Sequence, residues 1–253
     1  MSKQNKNRER REKVEQMRRE AQAKERRRTL AVVAACVVVA LIIVGAAGYK
    51  IYQDNQDKNE LAATDLSSIG EAAKAAGCGS IQEADASGQG EHTTDPVSYS
   101  VNPPPFGAHN PTPDSSGKHF FTTDDRPPVE VLVHNEEHGW TIVWYDETIA
   151  DDAEQMKLLK ATADKFDSHG QDPNYNMIIA PWTKDDGDPI ADGKHIAFTH
   201  WSVHQPTWDP DKFKQDPSYG ESQYCDTYSG EALDTFMKKF PYDDAPEGNL
   251  WHQ

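Results

Sequence analysis

The sequence predicts an α+β fold, in which a small mixed sheet packs with helices and is preceded by one transmembrane helix. Residues 30–48 form a run of nineteen positions without a charged side chain. Beyond this run, segments of strand-like composition alternate with segments of helical periodicity. Charge is also divided unevenly, because residues 1–28 carry twelve Lys and Arg against five Glu, whereas the whole chain of 253 residues carries −16. Such asymmetry indicates two parts with different surroundings.

The apolar run predicts a transmembrane helix at residues 29–49. A helix of nineteen residues is about 28 Å long, close to the ~30 Å hydrocarbon core of a bilayer. Basic residues are retained on the cytoplasmic side, so we expect residues 1–28 to be a cytoplasmic tail. Residues 50–77 would then form a juxtamembrane stalk, and residues 78–253 an extracytoplasmic globular domain at the cell membrane. A cleaved signal peptide is the alternative, although its basic and apolar regions are usually shorter.

The basic tail also bears on the partners of this protein. Nucleic-acid binding is not expected, because the membrane orientation already accounts for the basic residues. The transmembrane helix predicts contact with membrane lipid. Basic groups near the surface would attract anionic headgroups at roughly 1 kcal/mol each.

The three cysteines fit this organisation. Cys36 lies in the apolar run and is expected to behave as a small apolar residue. Cys78 and Cys225 lie near the two ends of the outer domain, where thiols can oxidise, so they predict a disulfide. Chain-entropy arguments give such a bridge on the order of 4–5 kcal/mol. Two unrelated thiols are the alternative.

The regular elements of the outer domain are predicted by periodicity and composition. Residues 151–167 and 230–240 have helical patterns, and Ser229 is a suitable N-cap for the second. β-Branched and aromatic residues predict strands at three segments, namely residues 140–145, 176–180 and 195–199.

Three further segments have less regular patterns. Residues 129–138 fit either a short strand or a helix, and the alternation of valines favours a strand in the first half. Residues 53–76 look like a stalk or a helix that ends at Gly77. Residues 85–128 are rich in Pro, Gly, Ser and Asp, and predict a long loop or extended structure.

The sequence HNEEHG at residues 134–139 is the strongest candidate for chemistry. In a helix, His134 and His138 lie one turn apart on one face, and Glu137 lies beside them. Two such imidazoles can ligate one metal ion, while the carboxylate serves as general base or third ligand. The H-x-x-E-H spacing also occurs in inverzincin metalloenzymes. In a strand the two histidines would still share a face, further apart, with Glu136 between them.

We predict a metal site formed by His109, His134 and His138. Zn²⁺ or Cu²⁺ would suit such ligands better than Ca²⁺ or Mg²⁺. His119, His200 and His204 are further candidates for ligands. Three hypotheses remain open: a domain that binds a metal or small ligand, a metal-dependent hydrolase with Glu137 as its catalytic base, and a structural envelope protein whose histidines hold the loop.

The same motifs resemble those of a bacterial family known as domain of unknown function 3105, whose members are often single-pass membrane proteins of actinobacteria. The resemblance rests on Cys78, on the sequence PPPFGAH that ends at His109, and on residues 134–139. It extends over residues 78–246. Phe106 departs from the family pattern, in which a serine is usual, so a role for that hydroxyl does not carry over. The resemblance implies kinship but no specific reaction.

Overall fold

The computed structural model describes residues 3–170, 172–205 and 217–248. The chain divides into two compact units, residues 1–56 and residues 57–253. Helix α1 spans Lys3–Ala63. Its segment Arg11–Gln53 is long and apolar enough to cross a membrane, by length and composition alone, and a signal sequence would meet the same criteria. The expectation of a long apolar helix near the N-terminus is therefore confirmed.

The second unit contains the sheet and the remaining helices. Within the described residues the strands are β1 (Gln82–Asp85), β2 (Thr141–Tyr145), β3 (Met177–Pro181), β4 (Ile196–Ser202) and β5 (Tyr219–Cys225). The helices are α2 (Val129–Glu137), α3 (Glu147–Ala150), α4 (Ala153–Asp167) and α5 (Gly230–Lys239).

The five strands form one mixed sheet in the order β1-β5-β4-β2-β3. Strands β2 and β3 are parallel, whereas the other neighbours are antiparallel. The predicted α+β class with a small mixed sheet is thus confirmed. Strands β1 and β5 were not predicted, because their polar residues give no clear apolar pattern.

Apolar side chains cover both faces of the sheet. Along β2, Val143 and Tyr145 belong to one core cluster, which contains residues of α4 and α5. Ile142 and Trp144 point the other way, into a cluster that contains Leu132 of α2. This alternation follows from the period of two along a strand. It places α2 on the face of the sheet opposite α4 and α5.

The helices predicted at residues 151–167 and 230–240 are present at Ala153–Asp167 and Gly230–Lys239. Asp152 caps α4 by accepting hydrogen bonds from the backbone of Glu154 and Gln155. Ser229 Oγ caps α5 by accepting from Ala232 N at 3.2 Å. Pro241 follows the C-terminal end of α5 and cannot continue the helix.

The strand preference for the first half of residues 129–138 is wrong, because this segment is helix α2. Val129, Leu132 and Val133 are buried, at the i, i+3 and i+4 spacing of a helix. The valine alternation was misleading, since Val131 is less buried than Val129 and Val133. Gly139 follows with a φ of +83°, and a Cβ there would lie 2.0 Å from the carbonyl oxygen of Tyr242.

The stalk also differs from the prediction of a helix that ends at Gly77. Helix α1 ends at Ala63, and a short 3₁₀ turn follows at Leu66–Ser68. A disulfide then joins Cys78 to Cys225, over a sequence separation of 147. It connects the segment before β1 to the end of β5. Cys36 is exposed on α1 and is a free thiol.

Candidate metal centre

Four side chains place possible ligand atoms together at the C-terminal end of α2. One atom from each of His92, His109, His134 and Glu137 lies within 4.8 Å of the others. His109, His134 and Glu137 are buried, whereas His92 is exposed. Helix α2 supplies His134 and Glu137 one turn apart, and the long loop before α2 supplies the other two.

Backbone pairing within the loop holds its two histidines side by side. His92 and His109 form an isolated parallel β-bridge. The backbone of His109 donates to Glu91 O at 2.9 Å, and its carbonyl accepts from Thr93 N at 2.7 Å. These bonds account for the imidazole centroids lying 4.9 Å apart.

Hydrogen bonds also attach this loop to α2. Asn110 N donates to Glu130 O at 3.1 Å. The buried amide of Asn135 pairs twice with the backbone of Asp114: its Oδ1 accepts from Asp114 N, and its Nδ2 donates to Asp114 O, both at 2.9 Å. His134 contacts the same loop, since its Nδ1 lies 2.5 Å from Asn110 O. The loop is therefore fixed to the helix immediately after His109.

Backbone carbonyls determine which nitrogen of two histidines carries the proton. His109 Nδ1 lies 2.8 Å from Gly107 O, and His134 Nδ1 lies 2.5 Å from Asn110 O. A carbonyl oxygen can only accept, so each Nδ1 must be the donor. In the neutral ring Nε2 then keeps its lone pair. Metal-binding histidines are commonly oriented in this way, by a hydrogen bond from the other ring nitrogen.

A buried contact between His109 and Glu137 points most directly to a cation. His109 Nε2 lies 3.0 Å from Glu137 Oε2, and the two side chains are 0% and 3% exposed. Neither atom makes a hydrogen bond within the described residues. Two lone-pair atoms at this distance repel each other unless a proton or a metal ion lies between them.

Burial favours the neutral form of the histidines at this site. Burial lowers the pKa of His134 below its ordinary value. Burial, followed by the charge of neighbouring His134, lowers the pKa of His138 to about 4. These two imidazoles are therefore neutral at pH 7, which is the form that ligates metal.

His138 lies beside this cluster rather than within it. Its Nε2 is 2.8 Å from His134 Nε2, and the two rings are stacked at 4.7 Å. It belongs to a second group, in which possible ligand atoms of Glu137, His138 and Glu247 lie within 4.8 Å of one another. The structure thus brings His109 and His134 together, with His138 adjacent.

The other candidate histidines lie in different surroundings. His119 Nδ1 bonds Met177 O at 2.6 Å. His200 is fully buried, and burial lowers its pKa to about 3. His204 forms a separate group with Glu83 and Glu221. None of these three histidines belongs to either of the groups around Glu137.

Sequence reasoning did not single out His92 or Glu247. His92 is paired with His109 through a bridge between distant positions, which leaves no local spacing signal. Glu247 reaches α2 because its backbone N–H donates to Glu137 O at 2.8 Å. For His92, the only indication in the sequence was that it lies in the same proline-rich loop as His109. For Glu247, the sequence pattern gave no indication.

Glu137 differs sharply from its neighbour Glu136. Glu136 is fully buried, and burial raises its pKa well above the ordinary value, which favours the uncharged acid. Glu137 instead borders a cavity of about 310 Å³. Gly90 lies against it, since a Cβ there would be 2.9 Å from Glu137 Oε1. The other residues that line this cavity are Gly88, Gln89, Glu91, Trp201, Ser218 and Pro246.

Comparison with known proteins adds one finding. The family described as "Protein of unknown function (DUF3105)" matches residues 91–251. His92, His109, His134, Glu137 and Glu247 all fall within the match, whereas Cys78 lies before it. The match therefore begins later than the resemblance over residues 78–246 had implied. No curated protein and no solved structure matches the chain.

Proposed function

We propose that this chain, which belongs to the DUF3105 family of proteins of unknown function, is a membrane-anchored protein whose extracytoplasmic domain binds a transition-metal ion. His92, His109, His134 and Glu137 would be the ligands. The observation that carries the proposal is the buried contact of 3.0 Å between His109 Nε2 and Glu137 Oε2, neither of which has a hydrogen bond in the part of the chain that the structure describes. A metal ion bound by both would remove their repulsion.

The ligand set favours Zn²⁺ or Cu²⁺. Three imidazoles and one carboxylate are typical ligands of these ions. Ligand atoms about 2.0 Å from a tetrahedral ion lie roughly 3.3 Å from each other. The separation of His109 and Glu137 is close to this value. Small side-chain rotations would draw in the rest of the group, whose members lie within 4.8 Å.

Each of the four residues would have a distinct role. His109 and His134 are oriented by their Nδ1 bonds to backbone carbonyls, so that Nε2 faces the ion. Glu137 would offset part of its positive charge. His92 is exposed and would complete the site from the solvent side.

The location follows from the N-terminal helix and the disulfide. An apolar segment of sufficient length supports membrane anchoring by one helix at residues 29–49. The basic tail at residues 1–28 supports a cytoplasmic N-terminus. A disulfide between Cys78 and Cys225 supports an oxidising compartment for residues 78–253, with residues 50–77 as the connecting stalk.

Elemental analysis of the full chain, purified in detergent, tests metal binding. We expect at least one equivalent of zinc or copper in the wild type after dialysis against buffer. His109→Ala should lose this metal. His169→Ala is the matched control, because His169 is an exposed histidine outside the ligand groups. A metal-free wild type, including after reconstitution with Zn²⁺ and Cu²⁺, would contradict the proposal and favour a structural role for the histidines.

The hydrolase hypothesis assigns a different role to Glu137. As a general base, Glu137 would be dispensable for binding, so Glu137→Gln would retain metal and lose hydrolysis. As a ligand, Glu137 is needed for binding, and the same substitution would lose metal. Its distance of 3.0 Å from His109 favours the ligand role. Metal content of the variant separates the two.

A further inference from the structure

We infer that the centre holds two metal ions, which share Glu137 as a bridging carboxylate. The first ion is the one bound by His92, His109 and His134. The second is bound by His138 and Glu247. This inference rests on the proposed function and extends it from one ion to two.

Two groups of ligand atoms meet at a single residue. Glu137 belongs to the group with His92, His109 and His134, and also to the group with His138 and Glu247. It is the member common to both groups. A carboxylate has two oxygen atoms, and in two-metal sites such groups commonly hold ions about 3.5–4 Å apart.

The second group has the dimensions of a metal site. His138 Nε2 lies 3.7 Å from Glu247 Oε2. All three possible ligand atoms of the group lie within 4.8 Å. The carboxylates of Glu137 and Glu247 repel each other at this distance unless a cation or a proton lies between them. Glu137 Oε2 is also buried without a hydrogen bond among the described residues.

The backbone holds Glu247 against α2. Its N–H donates to Glu137 O at 2.8 Å, and Gly248 N donates to Ala245 O at 3.2 Å to close a turn. Ala245 is fully buried. Glu247 is therefore positioned by the main chain, and its side chain, which is 33% exposed, reaches His138.

A short contact between two histidines explains how one site can prepare the other. His134 Nε2 and His138 Nε2 lie 2.8 Å apart. Because His134 Nδ1 is a donor to Asn110 O, His134 Nε2 is an acceptor, and His138 Nε2 donates to it. A first ion on His134 occupies that lone pair and breaks this hydrogen bond. His138, which also bonds the backbone of Glu247, would then offer Nε2 to a second ion once its proton moves to Nδ1.

The two sites differ in chemistry, so they fill in order. Three imidazoles make the first site rich in nitrogen and suited to Zn²⁺ or Cu²⁺. The second site has two carboxylates and one imidazole, and shares one carboxylate with the first. It therefore binds its ion more weakly.

Zinc titration of the full chain in detergent, after removal of metal with a chelator, tests this inference. Isothermal titration and elemental analysis should give two equivalents in the wild type, bound in two steps. Glu247→Gln keeps the size of the side chain and should bind one equivalent. Glu83→Gln is the matched control, because it removes an exposed carboxylate from the separate group around His204, and it should bind two equivalents.

The outcomes distinguish this inference from the proposed function. A wild type that binds neither zinc nor copper overturns both. One equivalent in the wild type, or two in Glu247→Gln, overturns the shared centre and leaves a single-ion site in place. One equivalent in Glu83→Gln alone assigns the second ion to the His204 group and also overturns the inference.

Copper provides a spectroscopic test that is independent of stoichiometry. The first equivalent of Cu²⁺ should produce an isolated electron paramagnetic resonance signal. The second equivalent should weaken that signal in the wild type, because a bridging carboxylate couples the two spins. In Glu247→Gln the signal should not weaken. Two additive, uncoupled signals in the wild type would overturn the bridging role of Glu137.

Discussion

Asn135 offers the sharpest test of how the fold builds the centre. Its side chain is fully buried and makes two hydrogen bonds of 2.9 Å with the backbone of Asp114. These bonds attach the loop to α2 at Asp114, shortly after the loop residues His109 and Asn110. Asn135→Ala removes both bonds and no proposed ligand.

The expected net loss of stability is about 1.5 kcal/mol. A buried polar group left without a partner costs about 1–3 kcal/mol. Asp114 is only half-buried, so water can reach it, and about 1 kcal/mol for each of its two backbone groups is appropriate. Alanine has a higher helix propensity than asparagine, which offsets roughly 0.5 kcal/mol of this loss. Metal affinity should fall about 10- to 100-fold, as is usual when the support of a ligand is lost.

Urea denaturation and zinc competition with a chromophoric chelator measure these two effects on the same preparation. Asn174→Ala is the control, because Asn174 is exposed and its side chain donates, among the described residues, to Asp172 in its own turn. Equal unfolding midpoints and equal zinc affinities for the two variants would refute the reasoning that the loop is held by Asn135.

Three further predictions concern the disulfide, the pH dependence and the topology. Replacing Cys78 and Cys225 together by alanine should lower the free energy of unfolding by about 2–5 kcal/mol, measured in urea against the oxidised wild type. An unchanged unfolding midpoint would show that the disulfide does not stabilise the protein. The contribution of His134 to zinc affinity should persist from pH 8 down to about 6.5 and weaken only below it. Protons compete for the lone pair of His134, and burial lowers its pKa, so protonation begins below the ordinary range; a decline that begins above pH 7 would contradict neutral ligands. A thiol reagent that cannot cross membranes should label cysteines introduced at residues 64–76 in intact cells, and not cysteines introduced at residues 1–28; the reverse pattern would invert the orientation.

Several regular elements of residues 57–253 could be predicted from local pattern. The apolar stripe of α4 contains Leu159, Ala163 and Phe166, which are all buried. The N-cap of α5 at Ser229 also follows from sequence, because a capping side chain bonds only two or three residues away. Such features depend on neighbours in the chain. They are therefore visible before any tertiary contact is known.

Elements that depend on distant pairing could not be predicted in this way. Strand β5 has mixed polar and apolar residues, and it is a strand because β1 and β4 bond its two edges. Helix α2 was ambiguous for the same reason. Its valines fit either period, and contact with the sheet through Leu132 and Val133 decided for the helix.

For the centre, the sequence by itself placed His134 and His138 on one face in either secondary structure, and Glu137 beside them only if the segment is a helix. It also determined the apolar N-terminal helix, through the length of the uncharged run. Only the tertiary structure decided that His92 joins His109 beside this turn, through a bridge between two loop segments. It likewise decided that Glu247 reaches Glu137 from the far end of the chain. The physical reason is that loop closure brings together positions whose sequence separation carries no periodic signal.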